Sequence, residues 1–263
     1  MVEIHYHLLH NVDDGPDSLD AAVALAQASI DAGVTHLVST PHCNEQFEFS
    51  AARNRERLAE LEQRLGSRIH FGLGCDFHLS EENLEAFKKT PLDYTINGGK
   101  YLLVEFSDFG IPKSVDDMLL WLIQSGYTPV VTHPERNPLL AQGQERLGEW
   151  MSAGCLVQIT AGSVTGWFGA NVKKIAHQLL NKGWVDLVAS DAHGVKSRPP
   201  VLCEAHAEIA TLFGAATADR LCTTNPLAVF CGEPLAEQPK RIVVERPRNE
   251  KSVGLLSRIF SFK

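Results

Sequence analysis

The chain has 263 residues, 44% hydrophobic and 21% charged, so it can bury the core of one large globular domain. Its formal net charge of −8 argues against general binding to nucleic acids. The charge is uneven, because residues 236–263 carry seven Lys or Arg and three Glu, a net of +4, which leaves −12 on the body.

Cysteine usage indicates a reducing compartment. The six cysteines form no CxxC pair and no secretory leader precedes them. Cys75 and Cys155 lie in apolar runs, where a buried, reduced thiol is expected. No stretch approaches the apolar length that crosses a bilayer. We therefore expect a cytoplasmic protein.

Strand-like and helix-like segments alternate along the chain, and three serines are expected helix N-caps: Ser18, Ser50 and Ser114. After a first strand, the pattern predicts helix 18–32, strand 35–40, helix 50–66, strand 69–73, a short helix from 80, strand 102–106, helix 115–125, strand 129–132, helix 144–153, strand 156–160, helix 170–181, strand 185–190 and a closing helix from 199.

Repeated βα units imply parallel strands with right-handed crossovers. The predicted fold class is therefore α/β, as a distorted TIM-like barrel of about seven strands. We expect the barrel to occupy residues 1–232. A basic, partly amphipathic tail is expected at 233–263.

Metal-binding residue types gather at the ends of the predicted strands. The HxH pair at 5–7 and the DxH pair at 191–193 each aim two ligands the same way, because side chains two apart on a strand share a face. Histidine with Asp or Glu and no Cys suits Mn²⁺, Fe²⁺ or Zn²⁺. The C-terminal strand ends form the active face of such barrels. Further candidates there are Asp14 (or Asp13), His42, Asp76, Glu105 and His133.

Eight short motifs carry a family resemblance. They are EIHYHLL at 3–9, VDDG at 12–15, STPH at 39–42, LVEF at 103–106, THPER at 132–136, QITAGS at 158–163, ASDAHG at 189–194 and RPP at 198–200. In these motifs the chain resembles the polymerase-and-histidinol-phosphatase (PHP) superfamily of metal-dependent phosphoesterases. Within it, the chain is most similar to the bacterial capsule-type protein-tyrosine phosphatases, over roughly residues 1–232.

The resemblance implies three divalent ions, most often Mn²⁺, with Fe²⁺, Zn²⁺ and Mg²⁺ as other candidates. By motif position, the ligands would be His5, His7, Asp76 and Asp191 for the first ion, Asp76, Glu105 and His133 for the second, and Asp14, His42 and His193 for the third. The motif favours Asp14 as a ligand. Its neighbour Asp13 would then support the turn at Gly15.

Two positions depart from the family pattern. The family usually has Glu where this chain has Asp76, whose side chain is one methylene shorter. His78 either compensates, as a ligand or substrate contact, or is an incidental surface histidine. The family tends to have Pro-Gly or Asp where this chain has His10 and Asn11, so His10 can reach the mouth of the site.

The implied chemistry is hydrolysis of a phosphate ester. Three divalent ions and four carboxylates, with one hydroxide, leave the site near +1, and the implied nucleophile is a metal-bound hydroxide. Arg136 and Arg198 follow ligand motifs and suit phosphate, although a surface salt bridge is the alternative for each. None of the six cysteines has an Arg six residues later, which excludes a cysteine-based phosphatase mechanism.

The implied function is a metal-dependent phosphomonoesterase that acts on phosphotyrosine in proteins. Its expected partner is a membrane tyrosine autokinase of capsule or exopolysaccharide synthesis. Two enzymatic alternatives stay open, a small-molecule PHP phosphatase for esters like histidinol phosphate and a phosphodiesterase. A non-enzymatic alternative is a metal-stabilised protein that docks the kinase. The tail either lies on an anionic membrane surface, since apolar and basic residues recur in it at helical spacing, or is a short helix packed on the barrel or a disordered end.

Overall fold

The computed structural model describes residues 1–241, and all of its paired strands are parallel. The strands are β1 (Val2–Glu3), β2 (His36–Ser39), β3 (His42–Cys43), β4 (His70–Leu73), β5 (Asp76–His78), β6 (Tyr101–Glu105), β7 (Thr128–Thr132), β8 (Leu156–Thr160) and β9 (Leu187–Ala189). They form one sheet in the order β1-β2-β4 and another in the order β3-β5-β6-β7-β8-β9.

Backbone hydrogen bonds join these two sheets into a ring. The segments β2 and β3 follow one another along a single path, as do β4 and β5, and the amide of Asp76 donates to the Pro41 carbonyl at 3.1 Å. Beyond β1, Tyr6 bridges Ala192, and the amide of Asp191 donates to the His5 carbonyl at 3.0 Å. The nine segments therefore occupy seven strand positions. The predicted distorted barrel of about seven strands is confirmed.

Helices follow most of the strands. They are α1 (Leu19–Asp31), α2 (Ala51–Leu65), α3 (Glu81–Lys89), α4 (Ser114–Gln124), α5 (Pro138–Gln142), α6 (Gln144–Ala153), α7 (Ala161–Thr165), α8 (Ala170–Asn181), α9 (Leu202–Phe213), α10 (Ala215–Asp219) and α11 (Asn225–Cys231), with a π-helical turn at Arg220–Thr224.

Serine side chains cap α1, α2 and α3. The hydroxyl oxygens of Ser18, Ser50 and Ser80 accept from amides in the first turns. The prediction that Ser114 caps a helix was wrong, because Ser114 is the first residue of α4 and Lys113 precedes it without a side-chain cap. The amide of Val115 donates to the Pro112 carbonyl, so the turn begins before Ser114.

The core has two layers. A small apolar cluster fills the barrel, with Leu103 of β6, Val130 of β7 and Leu187 of β9 among its members. The larger cluster packs the helices against the outside of the strands. Val229 of α11 belongs to the inner cluster, so α11 closes one end of the barrel. Cys75 and Cys155 are buried free thiols, as predicted.

The start of the predicted tail crosses the N-terminal ends of the strands. The hydroxyl of Tyr101, the first residue of β6, donates to the Glu233 carbonyl at 2.6 Å. Arg241 pairs at 2.8 Å with the buried Asp186, just before β9. The amphipathic pattern of the tail lies beyond residue 241, outside the described residues. Within residues 1–241, no helix combines the length and apolar character that a membrane span needs.

Candidate metal centre

All nine predicted metal ligands come together at the C-terminal end of the barrel. Parallel strands deliver them there, because their C-terminal ends meet at one rim. Their donor atoms fall into four groups, within each of which the atoms lie within 4.8 Å of one another. The groups are His7, Asp14, His42 and His193; His5, His7 and Asp76; His5, His133 and Asp191; and His42, Asp76 and Glu105.

The grouping differs from the predicted ligand sets at His133, and His7 and His42 each also join a group that was not predicted for them. His133 groups with His5 and Asp191 and not with Glu105. The amide of His133 donates to the Gln158 carbonyl at 2.8 Å, which pairs the His133 backbone with β8. His42 stays with Asp14 and His193, as predicted, and also lies beside Glu105, with its Nδ1 3.4 Å from the Glu105 carboxylate.

Three of the histidines are oriented by a hydrogen bond from Nδ1. The Nδ1 of His5 lies 2.8 Å from the Gln158 amide oxygen, and the Nδ1 of His7 lies 2.7 Å from the Asp13 carboxylate. The Nδ1 of His193 lies 2.9 Å from the Asp191 carbonyl. Each Nε2 then faces the cluster, the usual arrangement around a histidine that binds a metal.

Asp13 and Asp14 have different roles. Asp13 is committed to the backbone, because it accepts from the amides of Gly15 at 3.0 Å and His42 at 3.1 Å as well as from His7. Asp14 points into the cluster, with a carboxylate oxygen 3.1 Å from the Nε2 of His193. This geometry favours Asp14 as the ligand and Asp13 as the support of the turn.

Charge coupling is strong among these groups. Burial lowers the pKa of His5, but the carboxylates of Asp76 and Asp191 outweigh burial and raise that pKa to about 9. Burial likewise lowers the pKa of His42, and Asp76 and Glu105 raise it to about 11. These imidazoles compete for the carboxylates that an incoming cation would contact.

The donor set fits a cluster of divalent cations. Both carboxylate oxygens of Asp76, one of Asp191 and the Nδ1 of His42 are buried, and within the described residues they make ion-pair contacts but no hydrogen bond of good geometry. A buried carboxylate whose oxygens accept no hydrogen bond carries a large desolvation cost. A bound divalent cation offsets that cost, and imidazole with carboxylate suits Mn²⁺, Fe²⁺ or Zn²⁺.

Arg136 and Arg198 stand at the mouth of the cluster, each about one-quarter exposed. Both contact the same carboxylate oxygen of Asp191, Arg136 at 2.5 Å. Arg198 also donates to the Nε2 of His193 at 2.9 Å. The Arg136 guanidinium lies 4.5 Å from the centre of the Phe168 ring. The structure places both arginines beside the ligands, in ion pairs.

Backbone strain concentrates at this site. Five non-glycine residues among those described have a positive φ, and three of them are predicted site residues: His133 at 36°, Asp191 at 52° and Arg198 at 57°. Such conformations cost about 1–3 kcal/mol each and cluster at functional sites.

Two supporting residues received no role from the sequence. Gln158 orients His5, and the buried Glu135 accepts from the Thr160 amide at 2.8 Å and the Ser163 hydroxyl at 2.7 Å. The sequence gives one sign of the role of Gln158: it is a glutamine inside the apolar run of β8, and a polar residue buried in a barrel strand needs a hydrogen-bond partner.

The two departures from the family pattern have different outcomes. His10 does not reach the mouth, because its ring turns towards α2, with Nε2 3.2 Å from the Glu60 carboxylate. His78 belongs to none of the four donor groups found among the described residues. Despite the shorter side chain of Asp76, one of its carboxylate oxygens lies 3.4 Å from the Nε2 of His5 and 3.2 Å from the Nδ1 of His42.

The chain is similar to known proteins over most of its length. The family model described as capsular polysaccharide synthesis, CpsB/CapC, matches residues 1–231. The putative tyrosine-protein phosphatase CapC of Staphylococcus aureus is 33% identical over 208 residues, covering 77% of this chain and 80% of that protein. The tyrosine-protein phosphatase CpsB of Streptococcus pneumoniae is 32% identical over 239 residues, covering 88% and 98%.

A solved structure extends the likeness to three dimensions. It comes from a study of YwqE from Bacillus subtilis and CpsB from Streptococcus pneumoniae, described as unique metal-dependent tyrosine phosphatases. It matches with a TM-score of 0.85 at 29% identity, covering 93% of this chain and 100% of that one. The chain belongs to the CpsB/CapC family of capsular polysaccharide synthesis.

Proposed function

We propose that this chain is a metal-dependent protein-tyrosine phosphatase. The observation that carries the proposal is the cluster of nine histidine and carboxylate ligands with two arginines at its mouth. Relatives that cover most of the chain carry the name tyrosine-protein phosphatase. The fold positions the ligands from strand ends, where barrel enzymes build their sites.

Each part of the site has a task in this proposal. His5, His7 and His193 would hold cations through Nε2, since their Nδ1 atoms contact Gln158, Asp13 and the Asp191 carbonyl. Bound divalent cations would supply an activated water and neutralise charge on the phosphate. Arg136 and Arg198 would exchange their contacts with Asp191 for the phosphate oxygens, which suit a planar guanidinium.

A phenolate leaving group suits this set of residues. Tyrosine has a pKa of about 10, far below that of a serine hydroxyl, so it departs with little help from a proton donor. His10, which was expected to reach the mouth of the site, is turned towards Glu60 and offers no proton donor there. Hydrolysis of phosphotyrosine in preference to phosphoserine follows from this chemistry.

The finer parts of the proposal concern the cofactor, partner and location. We infer three cations, with Mn²⁺ as the most effective. The substrate would be a membrane tyrosine autokinase that controls capsule or exopolysaccharide synthesis. The protein would work in the cytoplasm, with the basic tail touching the inner face of the membrane.

The rates of phosphate release from different substrates test the proposal. Phosphate release should be far faster from a phosphotyrosyl peptide than from a phosphoseryl peptide, histidinol phosphate or a nucleotide diester. A higher rate on histidinol phosphate would move the chain to the small-molecule branch, and a higher rate on the diester would make it a phosphodiesterase. Binding without turnover of any substrate would leave the kinase-docking role.

A further inference from the structure

Large apolar side chains are exposed on one side of the metal centre. Six such side chains are exposed in the described part of the chain, and four of them lie on segments that follow the adjacent strands β6, β7, β8 and β9. They are Phe109 (100% exposed), Leu139 (41%), Trp167 (53%) and Val195 (49%), which we call the apolar rim. Exposed apolar groups gathered on one side of a site mark an interaction surface.

The apolar rim is physically connected to a phosphate-binding candidate. Trp167 precedes Phe168, whose ring carries the Arg136 guanidinium at 4.5 Å. Phe168 packs so closely on Gly162 of α7 that a Cβ there would lie 2.9 Å from its ring. Arg136 and Trp167 are thereby held as neighbours.

A second set of contacts fixes the segment that carries Phe109. The side-chain amide of Asn137 donates to the Phe106 carbonyl at 3.3 Å and to the Ser107 carbonyl at 3.2 Å. Asn137 follows Arg136 directly and its side-chain oxygen caps α5, which contains Leu139. The rim residues after β6 and β7 are therefore tied to the backbone beside Arg136.

We propose that the apolar rim binds apolar side chains that flank the phosphotyrosine in the substrate protein. This inference rests on the proposed function. In an extended chain whose phosphotyrosine reaches Arg136, the two residues on each side of the tyrosine lie within about 7 Å of the tyrosine backbone, since an extended chain advances about 3.3–3.6 Å per residue. Exposed aromatic residues beside such an anchor supply contact energy at interfaces.

Peptide binding tests the apolar rim separately from catalysis. The probes are two peptides in which a non-hydrolysable phosphonate replaces the phosphate of phosphotyrosine, one flanked by Leu and Ile and one by Ser and Gly. Fluorescence anisotropy gives their Kd for the full chain. Trp167→Ala and Phe109→Ala should each raise the Kd of the apolar-flanked peptide roughly five- to tenfold, the scale of an interface aromatic.

The chain offers a matched control. Leu212 of α9 is 54% exposed and lies outside the rim, so Leu212→Ala should leave both Kd values unchanged. The Ser- and Gly-flanked peptide should bind all variants equally. With the hydrolysable substrate, Trp167→Ala should raise KM for the apolar-flanked peptide, with kcat and the hydrolysis of free phosphotyrosine unchanged.

Three results would contradict peptide binding by the apolar rim. One is an unchanged Kd in both rim variants, and another is an equal loss of affinity for both peptides. The third is a rim variant that alters only the sedimentation of the protein, which would assign the surface to contact with a second copy of the chain. Selective peptide binding without any hydrolysis of phosphotyrosine would support the rim while removing the proposed function.

Discussion

Gln158 is expected to set the metal affinity of the centre through its contact with His5. Its amide oxygen lies 2.8 Å from the Nδ1 of His5 and is the acceptor that turns the His5 Nε2 towards Asp76 and Asp191. Gln158→Leu removes that acceptor at similar volume. We expect metal affinity to fall about 10–100-fold, the usual effect of losing such a partner.

Calorimetric titration of a divalent ion measures this effect. Gln158→Glu keeps an acceptor oxygen at the same position and should bind metal far better than Gln158→Leu. Equal affinity in the wild type and Gln158→Leu would mean that His5 needs no orienting partner.

Proton competition at His5 and His42 predicts how metal affinity depends on pH. Their pKa values of about 9 and about 11 mean that both imidazoles carry a proton near pH 7. A cation must displace these protons, so affinity should rise with pH from 6 to about 9, by about tenfold per pH unit for each proton released.

Titration in two buffers with different heats of ionisation counts the protons released. The heat of metal binding should differ between the buffers at pH 7. Identical heats would show that neither imidazole gives up a proton.

Among the elements, α1 and α4 differ in how their first turns are capped, although a serine was predicted to cap both. The Ser18 hydroxyl oxygen accepts from the Ala21 amide just before α1, whereas Ser114 lies inside the first turn of α4. Ser18→Ala should lower the free energy of unfolding by about 1 kcal/mol. Ser114→Ala should leave it nearly unchanged. Urea unfolding of both variants decides this, and an equal loss would contradict the observed start of α4.

The sequence predicted the helices whose apolar periodicity extends over several turns. α1, α2, α6 and α8 have the predicted bounds within two residues, since each shows several turns of apolar periodicity. The five-residue helices α5 and α7 are too short to show a period. The breaks between β2 and β3 and between β4 and β5 depend on neighbouring strands, so local sequence does not reveal them.

The same limit applies to the site. Ligand types at strand ends identified all nine members of the cluster, because strand direction alone brings them to one rim. Which ligands share a group depends on backbone details such as the bond that fixes His133 beside β8. Supporting partners such as Gln158 come from other strands, and their role appears only in three dimensions.

For the molecule as a whole, the described start of the tail and the cluster of candidate ligands lie at opposite ends of the barrel. Residues 233–241 cross the N-terminal strand ends, while the ligands occupy the C-terminal ends. Deleting residues 249–263 should therefore release the protein from anionic vesicles without changing hydrolysis of a phosphotyrosyl peptide. Vesicle co-sedimentation measures the first effect, and an intact protein that never binds such vesicles would end the membrane proposal.

The most direct test of the whole account is phosphate release from a phosphotyrosyl peptide by protein stripped of metal and then reconstituted. Stripping should abolish turnover and Mn²⁺ should restore it best, because the activated water and the charge that neutralises the phosphate would come from the bound cations. Asp191→Ala should stay inactive with added Mn²⁺, whereas Cys155→Ser, at a buried thiol outside the site, should keep full activity. Turnover that survives complete metal removal would contradict the account.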